Sequence, residues 1–87
     1  MYKLIFLSKA VKELKRLDYV AQKMIKQKLE ILAKKPADLK NDIKALKGKL
    51  SGKFRLRVRN YRIIYQKKDD VLTILIVRIG HRKEIYT

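Results

Sequence analysis

Residues 53–59, KFRLRVR, alternate without a fault. Phe54, Leu56 and Val58 fall on one side, and Arg55, Arg57 and Arg59 on the other. Only an extended strand has that period of two; on a helix the same residues would mix around the axis. The next run, YRIIYQ at 61–66, begins after a single residue. So short a gap demands a tight hairpin with Arg59-Asn60 as its loop, and Asn60 suits a left-handed turn position. The register then follows. Val58 opposes Tyr61, Leu56 opposes Ile63 and Phe54 opposes Tyr65 on a face that builds the core, so Tyr61 and Tyr65 read as packing residues. On the other face Arg57 sits opposite Arg62, and Arg55 opposite Ile64. Like charges directly across a ladder are destabilising. Either that face is solvated and its long side chains splay apart under salt screening, or it is a preformed anion site. No acid accompanies it in this part of the chain, and the arginine fork suits phosphate oxygens.

The rest of the chain supplies a partner for the apolar face. YKLIFL, residues 2–7, reads as a strand with apolar residues on both faces, hence a covered one. Ser8 is placed to N-cap a first helix with Ala10, Leu14 and Leu17 on one face. Asp18 is placed to cap a second helix running to about Lys35, with Ala21, Ile25, Leu29 and Leu32 on its buried stripe and Pro36 ending it. Residues 36–52 read as a connector pinned by Ile43, Leu46 and Leu50. KKDD, at 67–70, is a second turn, where Asp69 and Asp70 serve the turn itself. VLTILIVRI, at 71–79, is the most hydrophobic strand and is expected to be central. The order β-α-α-β-β-β with a short tail predicts an α+β fold, one domain over residues 1–87, with an antiparallel sheet packed against a helical hairpin.

Charge narrows the function. The chain has 24 Lys plus Arg against 8 Asp plus Glu, net +16. Residues 43–68 hold ten of those cations and no acid at all. A polyanionic partner is implied: nucleic acid, an acidic membrane surface or an acidic protein. With no cysteine there are no disulfides or thiolate metal sites, which fits a reducing compartment. The N-terminus lacks the layout of a signal peptide and no run is long enough to span a membrane, so a cytoplasmic location is expected.

KALKGKLSGKFRLRVRNYRIIYQ, followed by VLTILIVRIGHRKEIY, resembles the RelE/ParE toxin superfamily, and more closely its RelE branch. The resemblance covers nearly the whole chain, from the first strand to the closing GHRKEIY. It implies a toxin that enters the ribosomal A site and cuts mRNA there. The implied cleavage needs no metal or other cofactor: the ribose 2′-OH attacks the adjacent phosphate and a 5′-OH fragment leaves. It implies an acidic antitoxin partner in a toxin–antitoxin heteromer. Carried over residue by residue, the phosphate-stabilising arginine after the hairpin tyrosine falls on Arg62. The second arginine falls on Arg82, and the C-terminal tyrosine, a proposed general base, on Tyr86. The basic strand positions are Arg55 and Arg57. The connector arginine of the family is here Lys47. His81 stands where some relatives carry another cation, and is a candidate acid, base or phosphate contact.

These residues suit the chemistry. A proton must leave the 2′-OH, charge must be stabilised on the non-bridging oxygens, and the 5′-oxygen must be neutralised. Arg62, Arg82 and Arg57 suit the second task. Metal sites of this kind want clustered carboxylates, which the cationic block lacks. Tyr86 is a poor base unless nearby cations favour its phenolate. It lies four residues from Arg82, so one helical turn would align the two. Glu84 reads as a salt-bridge partner and Arg78 as a structural or general RNA contact. Two other functions stay open: a ParE-like inhibitor of DNA gyrase, and a nucleic-acid-binding module without catalysis.

Overall fold

The computed structural model describes residues 1–81. Strand β1 (Lys3–Phe6) leads into helix α1 (Ser8–Lys15) and helix α2 (Tyr19–Lys34). A 3₁₀ segment over Pro36–Asp42 then reaches β2 (Ile43–Ala45), and β3 (Phe54–Val58), β4 (Tyr61–Lys68) and β5 (Thr73–His81) complete one sheet. The strand order is β1-β5-β4-β3-β2, with β1 parallel to β5 and the other pairs antiparallel. The α+β architecture is the expected one, with β4 in the middle of the sheet and β5 interior beside it.

The helices cover one face. Ala10 and Leu14 of α1, and Ile25, Leu29 and Leu32 of α2, meet Leu56, Val58, Ile63, Tyr65, Ile74, Ile76 and Ile79 of the sheet. Each full burial of a large aliphatic side chain contributes about 1.5–3 kcal/mol. Asp18 caps α2 as expected, its carboxylate accepting from the Ala21 N–H at 2.8 Å. Pro36 opens the 3₁₀ segment, whose Leu39 is buried in the same core.

Four local expectations change. Ser8 is not a cap: Leu7 takes that position, with no side-chain bond to the helix. The Leu7 N–H still donates to Ile76 of β5, while its carbonyl already accepts from Val11. The chain passes from sheet to helix within that one residue, which draws Ser8 into the first turn. Strand β1 is an edge strand covered on one face only, and Ile5 and Leu7 are exposed. The connector contains a strand, β2, which pairs Ile43 with Leu56 and Ala45 with Phe54. Three residues are too few to show a period, and the free edge of β3 supplies the order. The left-handed residue of the β3–β4 loop is Arg59 (φ 53°) and not Asn60.

Strand β5 outruns β1, which pairs with it only from Thr73 to Ile76. Glu13 of α1 takes over there. Its Oε1 accepts from the Ile79 N–H at 3.0 Å, and its Oε2 accepts from Nε and Nη2 of Arg78 at 3.2 and 3.1 Å. Arg78 is thus a structural residue that helps tie α1 to the sheet edge. Glu13→Ala strands a backbone donor and a guanidinium, and is expected to cost about 2 kcal/mol. Glu13→Gln keeps an acceptor for Ile79 and is expected to cost about half that. Urea unfolding of the two variants, with unchanged slope, checks the difference.

Candidate functional site

The β3–β4 register is the one the alternation predicts: Phe54↔Tyr65, Arg55↔Ile64, Leu56↔Ile63, Arg57↔Arg62 and Val58↔Tyr61. Phe54 and Tyr65 stack on the core face with ring centroids 5.5 Å apart. Burial pushes the Tyr65 hydroxyl up to about 12, so it stays protonated and packs. Arg55, Arg57 and Arg62 therefore belong to the face turned away from the helices. Strand β2 adds a cation the sequence reading missed: Lys44 pairs with Arg55. The Ile-Lys-Ala alternation at 43–45 was the available signal, and it is too short to stand alone. Lys47 is exposed just past the end of β2, before Gly48, whose φ of 67° turns the chain.

The cations of this face differ in state. Arg62 is buried, 9% exposed, and its Nη1 donates to the carbonyls of Arg59 and Tyr61, both at 3.1 Å. It braces the hairpin loop that holds the left-handed Arg59. Arg55 is half-buried, and its Nε is enclosed without a hydrogen-bond partner. Arg57 does have a compensating acid, contrary to expectation. Asp42, at the end of the 3₁₀ segment, lies 3.1 Å from Nη2 of Arg57 and 2.8 Å from Nζ of Lys28. Asp42 precedes the cation-only block in sequence, and the unforeseen strand β2 carries it back beside β3. The Lys28 ammonium, foremost, holds the Asp42 carboxyl below its usual range; burial opposes it, and Arg57 adds to the lowering.

His81 lies elsewhere. It pairs with Tyr61, not Arg62, and its ring meets the Tyr61 ring edge-on at 5.9 Å. Tyr61 packs against the core, so His81 is on the helix side of the sheet, opposite the arginine row. Arg82, Glu84 and Tyr86 lie outside the described residues. Asp69 serves the β4–β5 turn as expected, accepting from the Tyr2 hydroxyl. The described residues hold no group of three or more His, Cys, Asp or Glu that could bind a metal, and none of their helices is long and apolar enough to cross a membrane.

This frame has relatives. Residues 4–86 match the family model described as ParE toxin of type II toxin–antitoxin systems, parDE. The chain belongs to that family. Membership of the RelE/ParE toxin superfamily, expected from the hairpin and tail motifs, is thereby borne out. The chain is 27% identical to the mRNA interferase toxin RelE of Escherichia coli over 99% of its length and 90% of that protein's. It is 40% identical to toxin RelG of Mycobacterium tuberculosis over 43 residues, about half the length of each chain (49%). Among solved structures, the RelB–RelE antitoxin–toxin complex of Methanococcus jannaschii has a similar chain. It is 35% identical, with a TM-score of 0.71 over 94% of both chains.

Asp42→Asn releases Arg57 and Lys28 together. The pair is partly solvated, so the fold is expected to lose less than about 1 kcal/mol. A short RNA should bind the variant several-fold more tightly at low salt, as fluorescence anisotropy would show. The carboxyl is depressed in the folded state, so its contribution is complete above 3.8 and is lost as pH falls through its lower folded value. Acid unfolding of the parent should contain that component, and Asp42→Asn should lack it.

Proposed function

We propose that the protein is a ribosome-dependent mRNA endoribonuclease, the toxin of a pair silenced by an acidic antitoxin, acting in the cytoplasm. The observation that carries this reading is the cation row Lys44, Arg55, Arg57 and Arg62, brought onto one sheet face by the register. An RNA phosphate set against it relieves the cross-strand repulsion of Lys44 with Arg55 and of Arg57 with Arg62. The likeness to a RelE named as an mRNA interferase supports the same activity.

In this reading the guanidinium groups of Arg57, Arg62 and Arg82 stabilise charge on the scissile phosphate as the 2′-oxygen attacks. The new bond is O2′–P, the broken one P–O5′, and the products are a 2′,3′-cyclic phosphate end and a 5′-OH end. Tyr86, as its phenolate, takes the 2′-OH proton, and the departing 5′-oxygen takes a proton from solvent water. Lys44, Lys47 and Arg55 hold neighbouring phosphates. His81 is on the opposite side of the sheet from Arg62, which favours binding over proton transfer for its imidazole. A small open site of this kind relies on the ribosome to hold the message in a reactive geometry. An antitoxin complex fits the relatives, since the M. jannaschii chain was solved bound to RelB.

The matched family model is named for ParE, which supports the second reading that the sequence resemblance left open, inhibition of DNA gyrase. Primer extension on a defined mRNA in programmed ribosomes separates the two. Cleavage inside the A-site codon is expected for the parent. Arg82→Ala should lower the rate by about 10²-fold, the scale of one lost oxyanion donor. Tyr86→Phe should lower it comparably. Arg62→Ala is to be compared at matched folded fraction, because Arg62 also braces the hairpin. No cleavage by the parent, together with loss of gyrase supercoiling, would replace the first reading with the second.

A further inference from the structure

Helix α1 ends beside the first residues of β4 and the last of β5, and a cleft of about 260 Å³ opens there on the helix side of the sheet. Glu13, Arg16, Leu17, Tyr61, Ile79 and His81 line it. We propose that this cleft is a nucleobase subsite: the base next to the phosphate held on the arginine row stacks against His81 and Tyr61. This rests on the reading of RNA as the substrate.

Three observations carry the assignment. The first is an aromatic platform. Tyr61 is half-buried and fixed, whereas His81 is exposed. Their edge-on contact, with an interplanar angle of 77°, leaves ring surface available to a third ring. Stacking of a base on an aromatic side chain is worth about 1–3 kcal/mol and tolerates any base. The second is charge. Arg16 caps the C-terminus of α1, is exposed, and has no ion-pair partner among the described residues. It stands at the cleft as a ready contact for the phosphate attached to such a base. The third is continuity with the arginine row. Tyr61↔His81 and Arg62↔Gly80 are successive pairs of the same two strands. Arg62 also donates to the Tyr61 carbonyl. The strand end thus has a guanidinium on one side and the aromatic pair on the other, and an RNA strand crossing it meets both.

The cleft also indicates what kind of recognition to expect. Glu13 spends one oxygen on the Ile79 N–H and the other on Arg78. Those bonds hold the carboxylate against β5. The subsite grips a base by its face and reads little of its identity.

A thermodynamic cycle tests this with 2′-O-methyl RNA tetranucleotides, which cannot be cleaved, either intact or carrying one abasic residue. The parent should bind the intact RNA roughly tenfold more tightly than the abasic one. His81→Ala should lose that advantage, binding the two about equally. Arg16→Ala should weaken both RNAs alike and lower the salt slope by about one, while Lys26→Ala, on the exposed side of α2, should keep the full intact-to-abasic ratio. If His81→Ala weakens intact and abasic RNA by the same factor, the imidazole is only an electrostatic contact and the subsite is wrong, though RNA remains the substrate. If the parent binds neither RNA at low salt, the RNA reading fails and takes the subsite with it.

Discussion

A slip of one residue between β3 and β4 would turn Arg55 and Arg57 into the core and put Leu56 and Val58 in water. Side chains alternate with a period of two, so no intermediate arrangement exists. Leu56 is buried at 0% exposure and Val58 at 3%, and the slip would forfeit both. The same register that fills the core also lines up the cations. Core and candidate site are consequently one constraint seen from two sides of the sheet. The two-residue loop enforces it, with Arg59 held at positive φ and its carbonyl accepting from Arg62. Arg62 thus lies at the junction of fold and site: its guanidinium supports the turn that sets its own position.

Three acids form ion pairs among the described residues, Asp69 at the β4–β5 turn and two others at a sheet margin. Glu13 substitutes for a missing strand beside β5, and Asp42 sits between α2 and β3. Neither neutralises Lys44 or Arg55, so the face keeps a net positive field near the middle of its row. Partial neutralisation is physically sensible. A fully compensated face would have little attraction for a polyanion. A wholly uncompensated one would set like charges across a ladder at the cost of the sheet. Asp42 holds Arg57 in place through an exposed pair, the kind an incoming phosphate can replace at small cost.

Legibility tracked the length of the pattern. The β3–β4 hairpin, the buried stripe of α2 and the Asp18 cap all repeat over several residues or use a strong local signal, and each appears as expected. Strand β2 does not, because its three residues gain their order from β3 and not from their own preference. With β2 went Lys44 and the reach of Asp42. The cap of α1 falls on Leu7 and not on Ser8, because Leu7 serves the sheet and the helix at once. Asn60 is the better left-handed residue by chemistry, yet Arg59 takes the position, since strand twist and register decide which loop residue must turn. His81 shows the same limit from the functional side. Its place in the chain groups it with the candidate reaction centre, but its pairing with Tyr61 puts it on the face opposite Arg62.

The alternation of faces along a strand suggests why the strand end is where chemistry would concentrate. Within a sheet, neighbouring residues cannot address one ligand, because they point to opposite faces. At the last pair of a strand the sheet no longer intervenes, and a ligand wrapped over the edge reaches both. Tyr61, Arg62, Gly80 and His81 form two such successive pairs at the start of β4 and the end of β5. A small compact ligand would meet either the guanidinium or the aromatic pair. A chain with phosphates and bases on separate sides, spaced to straddle the edge, can engage both. Single-stranded RNA has that shape, and the cation-only block beside this edge carries the opposite charge.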